Sequence, residues 1–248
     1  MKFLRNFLAS LTALVVFSVI GFVMFLGVIA AMSADSEVIV KENSILHLKL
    51  NRPLVERAGE DDPLAELPIF GTGQANIGLI QLKRIIANAA KDDKIEGIYL
   101  DVPFLMAGYG NVEEIRNALL SFKESGKFIV AYADFYTEGA YYLASVADKI
   151  YLNPEGDLEF NGLSINTTFF KGTFEKLGIE PQIFRVGDFK SAVEPFTREN
   201  MSEANRLQLS SVLASLNGNM LANIAKSRSI DVAELAEIST QMKIRKAQ

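Results

Sequence analysis

The N-terminal segment of residues 7–32 contains no charged side chain and consists mostly of Leu, Val, Ile, Phe, Ala, Met and Gly. A helix needs about 20 apolar residues to cross a bilayer whose hydrocarbon core is roughly 30 Å thick, so this segment is long enough to span a membrane. Lys2 and Arg5 precede it, whereas Asp35 and Glu37 follow it. This charge asymmetry predicts that the N-terminus lies in the cytoplasm and that the residues after the segment lie outside it.

A cleaved signal peptide is the alternative interpretation of the same segment. Ala31, Met32 and Ser33 offer a weak cleavage site. However, the apolar core of a signal peptide has about 7–15 residues, and this segment is about twice as long. Its length favours an uncleaved anchor. We therefore predict a membrane anchor over residues 1–33. The length of residues 34–248 suits one domain, or one domain plus the start of another, and we predict a single α/β domain there.

Composition and charge exclude several classes of function. The net charge is −5, and removing the positive charges of Lys2 and Arg5 leaves −7 on the rest of the chain, which argues against a nucleic-acid partner. The chain has no Cys and a single His, which argues against a disulfide framework, thiolate chemistry and a zinc site. No glycine-rich nucleotide-binding motif is present. We predict no cofactor and no metal; the acidic run 60–62 is interpreted as a solvated loop, with metal binding as the alternative.

Apolar patterns after residue 34 alternate between strand and helix periods. The patterns predict strands at 38–50, 95–100, 128–133, 149–152, 158–165 and 183–186, and helices at 79–89, 112–122, 140–147 and 169–177. A long polar connection spans residues 51–76. Strands that alternate with helices of this length indicate βαβ units around a mainly parallel sheet.

Two further helices are predicted near the C-terminus. Ser202 is a natural N-cap for a long helix over residues 203–228. Asp231 with Glu234 resembles a capping box that opens another helix. No Gly or Pro marks an end of that helix before Gln248, so we interpret the sequence as truncated there.

The segment of residues 185–196 concentrates the candidate chemistry. It follows the predicted strand at Gly187, and α/β folds place ligands at strand ends. Lys190 lies among Phe189, Ala192, Val193 and Phe196. Apolar surroundings favour the neutral amine of a lysine, and only a neutral amine can take a proton from a serine hydroxyl.

Local chemistry alone leaves the role of Lys190 open. Asp188 and Glu194 stabilise the ammonium form if they are close, and a salt-bridged structural lysine is the alternative. His47, the single histidine, lies in the first predicted strand, far in sequence from a suitable serine. It is interpreted as a structural strand residue rather than as part of a Ser–His–Asp site.

Two stretches carry a family resemblance. Residues 186–196 read VGDFKSAVEPF, and residues 136–150 read YTEGAYYLASVADKI. Over roughly residues 38–240 the chain resembles the signal peptide peptidase A (protease IV) family. The resemblance implies an N-terminal membrane anchor followed by an α/β domain of the ClpP/crotonase-like kind, the first of two such domains, in which this chain is the N-terminal portion.

The resemblance also implies roles for particular residues. Lys190 matches the family's general base of a Ser–Lys dyad. This match favours a catalytic lysine over a salt-bridged structural one. The nucleophilic serine comes from the second domain, and Glu138 stands at the corresponding place in this chain. Ser191 is a poor substitute because neighbouring side chains on a loop rarely reach the required geometry.

The function implied by the resemblance is that of a membrane-bound serine endopeptidase. Its substrates are cleaved signal peptides or similar hydrophobic peptides, it acts as a homo-oligomer, and its main domain lies on the periplasmic side of the cytoplasmic membrane. We expect the 248-residue chain alone to be inactive. The alternative is a non-catalytic, membrane-anchored assembly or peptide-binding module, with the apolar face of the helix at 203–228 as a contact surface.

Overall fold

The computed structural model describes residues 2–32, 39–58, 76–102, 104–184, 186–187 and 190–244. It begins with helix α1 (Lys2–Met32). The most apolar 18-residue stretch of this helix has a mean hydropathy of 2.6, and none of that stretch is buried against the rest of the chain. By length and composition α1 is a candidate membrane span.

A four-stranded sheet forms the centre of the domain. All neighbouring strands are parallel, in the order β1-β4-β5-β6. These strands are β1 (Ser44–Lys49), β4 (Ile95–Asp101), β5 (Phe128–Tyr136) and β6 (Lys149–Leu158). A separate parallel pair joins β2 (Leu54–Val55) to β3 (Ile77–Gly78). The predicted mainly parallel α/β architecture is therefore confirmed.

Three helices follow strands along the chain. Helix α2 (Leu79–Lys91) leads to β4, α3 (Tyr109–Lys123) leads to β5, and α4 (Glu138–Ala144) leads to β6. The predicted helices at 79–89 and 112–122 correspond to α2 and α3. Each is amphipathic because its apolar residues recur every three or four positions.

The hydrophobic core lies between these helices and one face of the sheet. Helix α2 buries Leu82 and Ile86, and α3 buries Ile115 and Leu119, in the same core cluster as Ile98 of β4. Full burial of each such side chain contributes about 1.5–3 kcal/mol. The opposite face of the sheet carries side chains that are exposed or partly exposed, including His47, Lys49 and Tyr151.

The prediction of two strands at 149–152 and 158–165 is wrong, because β6 runs without a break over 149–158. Asn153, Pro154 and Gly156 resemble a turn in sequence. In the structure the register against β5 shifts between Ala133 and Phe135, which absorbs the extra residues. Gly156 permits this, because a Cβ there would lie 2.2 Å from the carbonyl oxygen of Asp134.

The C-terminal part contains helices α7 (Glu203–Arg228) and α8 (Val232–Thr240). Both predicted caps are confirmed: Ser202 Oγ accepts from the backbone nitrogen of Asn205, and Asp231 accepts from those of Ala233 and Glu234. The predicted continuation of the last helix towards Gln248 is wrong. Helix α8 ends at Thr240, and the backbone leaves the helical region at Met242, whose φ is 49°.

Residues 161–200 form an extension that we call the arm. It contains helix α5 (Lys171–Leu177), a 3-10 turn (Ser191–Val193) and the single-turn helix α6 (Glu194–Thr197). The strand predicted at 183–186 is wrong for the described residues of that range, which are irregular. Phe184 is 94% exposed and Val186 is 90% exposed, and no strand in the described part of the chain pairs with either residue.

Candidate active site

Lys190 lies immediately before the 3-10 turn and is exposed. Its side chain lines an open pocket of about 570 Å³ whose other walls are mainly apolar. The pocket is also lined by Phe184, Val186, Ser191, Ala192, Val193 and Gln208. Within the described part of the chain, the Lys190 ammonium has no hydrogen bond or ion pair. None of the described residues therefore competes for this amine with a group that enters the pocket.

The expected burial of Lys190 among apolar side chains is not observed in this chain by itself. Ala192 and Val193 do line its pocket, but Phe196 stacks instead on Phe170 and Phe174, with ring centroids 6.3 and 6.1 Å away. Lys190 is exposed, so no element in the described part of the chain covers it. Asp188 and Phe189, the remaining predicted neighbours, lie outside the described residues.

Glu194 is directed away from Lys190 and towards the start of α7. Its carboxylate accepts hydrogen bonds from the backbone nitrogen of Ser202 at 3.1 Å, from the Ser202 hydroxyl, and from Asn205 Nδ2 at 3.0 Å. Burial raises the pKa of Glu194, but these hydrogen bonds outweigh it and hold the pKa below its usual value. The predicted possibility of a Glu194–Lys190 salt bridge is thus not realised.

Glu138 begins helix α4, directly after the N-cap Thr137. The side chain is only 8% exposed, and its Oε1 has no hydrogen-bond partner within the described part of the chain. Burial raises the pKa of Glu138, while hydrogen bonds to the backbone at Gly162 and Asn161 oppose that rise. The place that the family resemblance assigns to a serine therefore holds a buried acid.

Ser191 and His47 are not brought into a catalytic arrangement. Ser191 lines the same pocket as Lys190, but no hydrogen bond joins the two side chains. His47 Nε2 lies 3.1 Å from Asp101 Oδ2, and its ring lies 4.9 Å from that of Tyr99 on the open face of the sheet. No serine hydroxyl of the described residues bonds to the His47 ring.

Arg116 is a buried polar residue that the sequence pattern did not reveal. It donates to the carbonyl of Tyr142 at 2.6 Å and to Ser145 Oγ at 2.8 Å on one side. On the other side it donates to the carbonyl of Asn223 at 2.8 Å and to Ser227 Oγ at 2.6 Å. The only sequence signal is its place on the apolar face of α3, between buried residues. It fixes the C-terminal half of α7 to the domain.

Across residues 2–32, 39–58, 76–102, 104–184, 186–187 and 190–244, no group of three or more His, Asp or Glu side chains is placed to hold a metal ion. The acidic run 60–62 lies outside these ranges. The chemistry that the described residues offer is therefore an amine beside an apolar pocket.

Comparison with known proteins gives the class of this arrangement. Residues 121–248 match the peptidase family S49. The chain is 36% identical over 235 residues to "Protease 4" of Haemophilus influenzae, covering 90% of this chain and 37% of that protein. It is 38% identical over 151 residues to "Serine protease SPPA, chloroplastic" of Arabidopsis thaliana, covering 61% of this chain and 22% of the relative.

A third relative and one solved structure complete the comparison. "Protease 4" of Salmonella typhi is 34% identical over 196 residues, covering 77% of this chain and 32% of that protein. An enoyl-CoA hydratase/isomerase from Marinobacter aquaeolei is 14% identical, with a TM-score of 0.28, covering 66% of this chain and 72% of that chain.

The parallel α/β domain and the matched segment define a member of a peptidase family. The chain belongs to peptidase family S49, the signal peptide peptidase A (protease IV) family. It spans about a third of the length of the Protease 4 relatives it matches.

Proposed function

We propose that this chain is the membrane-anchored, lysine-bearing part of a serine endopeptidase of the Ser–Lys dyad type. Its substrates are cleaved signal peptides or similar hydrophobic peptides. The observation that carries the proposal is the position of Lys190, whose amine pairs with no described residue and lies on an open apolar pocket in a chain of peptidase family S49. Apolar pocket walls fit apolar side chains of a peptide.

The proposed chemistry is acyl transfer with Lys190 as the general base. A serine hydroxyl attacks the scissile carbonyl carbon while the neutral Lys190 Nζ accepts the hydroxyl proton. The same amine returns that proton to the leaving nitrogen as the peptide C–N bond breaks. Water then attacks the acyl-enzyme, Lys190 accepts a proton from the water, and the proton passes to the serine oxygen as it leaves.

The nucleophilic serine is proposed to come from outside residues 1–248. Glu138 occupies the corresponding place in this chain, and a buried carboxyl group cannot replace a serine nucleophile in a dyad with Lys190. Acceptance of the serine proton requires a neutral amine, which the exclusion of water favours. We therefore propose that the part of the protein that brings the serine also covers Lys190, which is exposed here.

The proposed location is the cytoplasmic (inner) membrane, crossed once by α1. The N-terminus lies in the cytoplasm and the domain lies on the periplasmic side, as the positions of Lys2 and Arg5 favour. A site next to the outer surface of the membrane suits apolar peptides released within the bilayer.

The exposed arm supports a proposal of self-association. Phe184, Val186 and Leu177 present apolar side chains to solvent, and large exposed apolar areas mark contact sites. We propose a homo-oligomer. The same surface also favours the second candidate function, a non-catalytic assembly or peptide-binding module.

A cleavage assay tests the proposed function and separates the two candidates. A quenched fluorescent peptide with a signal-peptide sequence is incubated with the full-length protein and with purified residues 33–248. We expect cleavage by the full-length protein and none by residues 33–248. Absence of cleavage by the full-length protein supports the binding module, and robust cleavage by residues 33–248 contradicts an external serine.

A further inference from the structure

The described part of the arm has almost no buried side chains to hold it against the domain. Among the described residues of 161–200, Glu194 alone is buried, with 2% of its surface exposed. Helix α5 has no buried residue. Apolar burial in the domain core, which fixes most segments, is therefore almost absent from the part of the chain that carries Lys190.

Polar contacts of Glu194 connect the arm to α7. Its two carboxylate oxygens accept from the Ser202 backbone nitrogen, the Ser202 hydroxyl and the Asn205 side-chain amide. The Ser202 hydroxyl in turn accepts from the backbone nitrogen of Asn205 at 3.2 Å, which caps α7. A carboxylate with three donors is held in one orientation, and charge-assisted hydrogen bonds are the stronger kind.

Helix α7 carries this connection to the domain. Its 26 residues span about 39 Å at 1.5 Å per residue. Residues 206–219 contain no buried side chain, whereas Met220, Leu221 and Ile224 are buried in the core. The helix is thus attached to the domain near its C-terminus, and its N-terminal part extends outwards with Glu194 at its tip.

A short helical stretch joins Lys190 to Glu194. The 3-10 turn and α6 follow each other without a gap, so Lys190 directly precedes a continuous helical stretch that begins at Ser191. The neighbouring Pro195 accepts a 2.7 Å hydrogen bond from the backbone nitrogen of Phe170. The position of Glu194 therefore sets the position of Lys190.

We propose that Glu194 is a positioning residue for Lys190: it fixes the lysine-bearing turn to the N-terminus of α7 without forming an ion pair with the amine. This inference rests on the proposed function of Lys190. The separation matters chemically, because a carboxylate beside Lys190 stabilises the ammonium and opposes proton acceptance. Glu194 avoids this by directing its charge to Ser202 and Asn205.

The test uses the full-length protein and a peptide-cleavage assay over a range of pH. The variant Glu194→Gln keeps the shape but replaces one acceptor oxygen with a donor. Glu199→Gln, an exposed residue on the same arm, is the matched control. We expect Glu194→Gln to lower kcat about 10- to 100-fold, as displacement of a catalytic group does. We expect KM to stay within about twofold of the wild-type value. We also expect the pH of half-maximal kcat to shift, which a variant that is only less stable would not show.

A second pair of variants keeps the test decisive if Glu194→Gln folds poorly. Ser202→Ala removes one donor to Glu194, whereas Ser202→Thr keeps a hydroxyl. We expect Ser202→Ala to lower kcat and shift the same pH midpoint, and Ser202→Thr to retain wild-type values. Acetylation of Lys190 by acetic anhydride, followed by mass spectrometry, is measured in each variant and is expected to change in Glu194→Gln and Ser202→Ala.

The outcomes separate the inference from the proposed function. If Lys190→Ala abolishes cleavage while Glu194→Gln matches Glu199→Gln in kcat and pH midpoint, the proposed function stands and the positioning role is overturned. If Lys190→Ala retains cleavage, the proposed function fails. In that case the acetylation of Lys190 still tests whether Glu194 positions this lysine. Acetylation equal to that of the wild-type protein in Glu194→Gln overturns the positioning role, and a changed extent of acetylation supports it.

Discussion

Arg116 of α3 donates a 2.8 Å hydrogen bond to the backbone carbonyl of Asn223 in α7, from a side chain that is only 1% exposed. The same guanidinium bonds to the carbonyl of Tyr142 in α4 and lies 4.6 Å from the centre of the Tyr142 ring. One side chain therefore joins three helices. Within the described part of the chain, no carboxylate forms an ion pair with Arg116, so carbonyl and hydroxyl oxygens alone satisfy it.

Removal of Arg116 is expected to loosen α7. Arg116→Met removes the buried donor to Ser145 Oγ and one of two side-chain donors to the Tyr142 carbonyl, which keeps the Ser145 hydroxyl. We expect the free energy of unfolding to fall by about 3 kcal/mol. Urea unfolding monitored by circular dichroism measures this change. Arg84→Met, at an exposed site on α2, is the control and stays within about 0.5 kcal/mol of wild type. Equal stability of the two variants would show that the Arg116 contacts do not hold the helices together.

Glu138 is expected to make stability depend on pH. Burial raises its folded-state pKa, so the folded protein binds this proton more tightly than the unfolded chain. The associated stability is complete below the unfolded pKa of about 4.3 and is lost as pH rises through the folded pKa. Glu138→Gln cannot ionise, so we expect it to melt at a higher temperature than wild type at neutral pH and at nearly the same temperature near pH 4. A gap of constant size across this range contradicts the prediction.

Gly156 is expected to tolerate no side chain. A Cβ at this position lies 2.2 Å from the carbonyl oxygen of Asp134 and 3.0 Å from that of Asn153. Gly156→Ala therefore forces β5 and β6 apart and lowers the free energy of unfolding by about 1–3 kcal/mol. The control is Gly139→Ala in α4, where a Cβ meets no atom within 4 Å and alanine suits the helix. Thermal melts of the two variants should move in opposite directions.

Helix α1 is expected to hold the protein in the membrane. Arginine near the centre of a spanning helix opposes insertion by about 2.5–3.5 kcal/mol per residue. We expect the double variant Val15→Arg, Val19→Arg to appear in the carbonate-soluble fraction. The matched variant Val15→Leu, Val19→Leu should remain in the membrane pellet. Identical fractionation of both would contradict a spanning role for α1.

Local periodicity predicted the elements that pack on the core. Residues of α2, α3, β4 and β5 meet their neighbours at the spacing of one helix face or one buried strand, so sequence alone is informative there. The apolar run at 183–186 has the same composition as a strand, but its described residues have no partner among the strands that the structure describes, which a pattern cannot reveal. At 149–158, Pro154 and Gly156 resemble a turn because a bulge uses the same residues.

The candidate site was predictable only in part. Lys190 was proposed from its motif, and its catalytic role stays a prediction. The contacts of Glu194 were not, because its partners Ser202 and Asn205 belong to the next helix and a carboxylate near a lysine suggests a salt bridge first. Arg116 reaches Asn223 and Ser227 more than 100 positions further along the chain. Such long-range polar contacts leave no local signature in a sequence.

The most direct test of the account is the kcat/KM for peptide cleavage by full-length protein carrying Lys190→Ala. Lys171→Ala is the control, since Lys171 lies on the same arm and pairs with Glu175 on the surface. General-base catalysis typically contributes about 10²- to 10⁴-fold to a rate, so we expect Lys190→Ala to lose at least that much while Lys171→Ala retains wild-type cleavage. Wild-type cleavage by Lys190→Ala would contradict the central claim that this lysine is the general base.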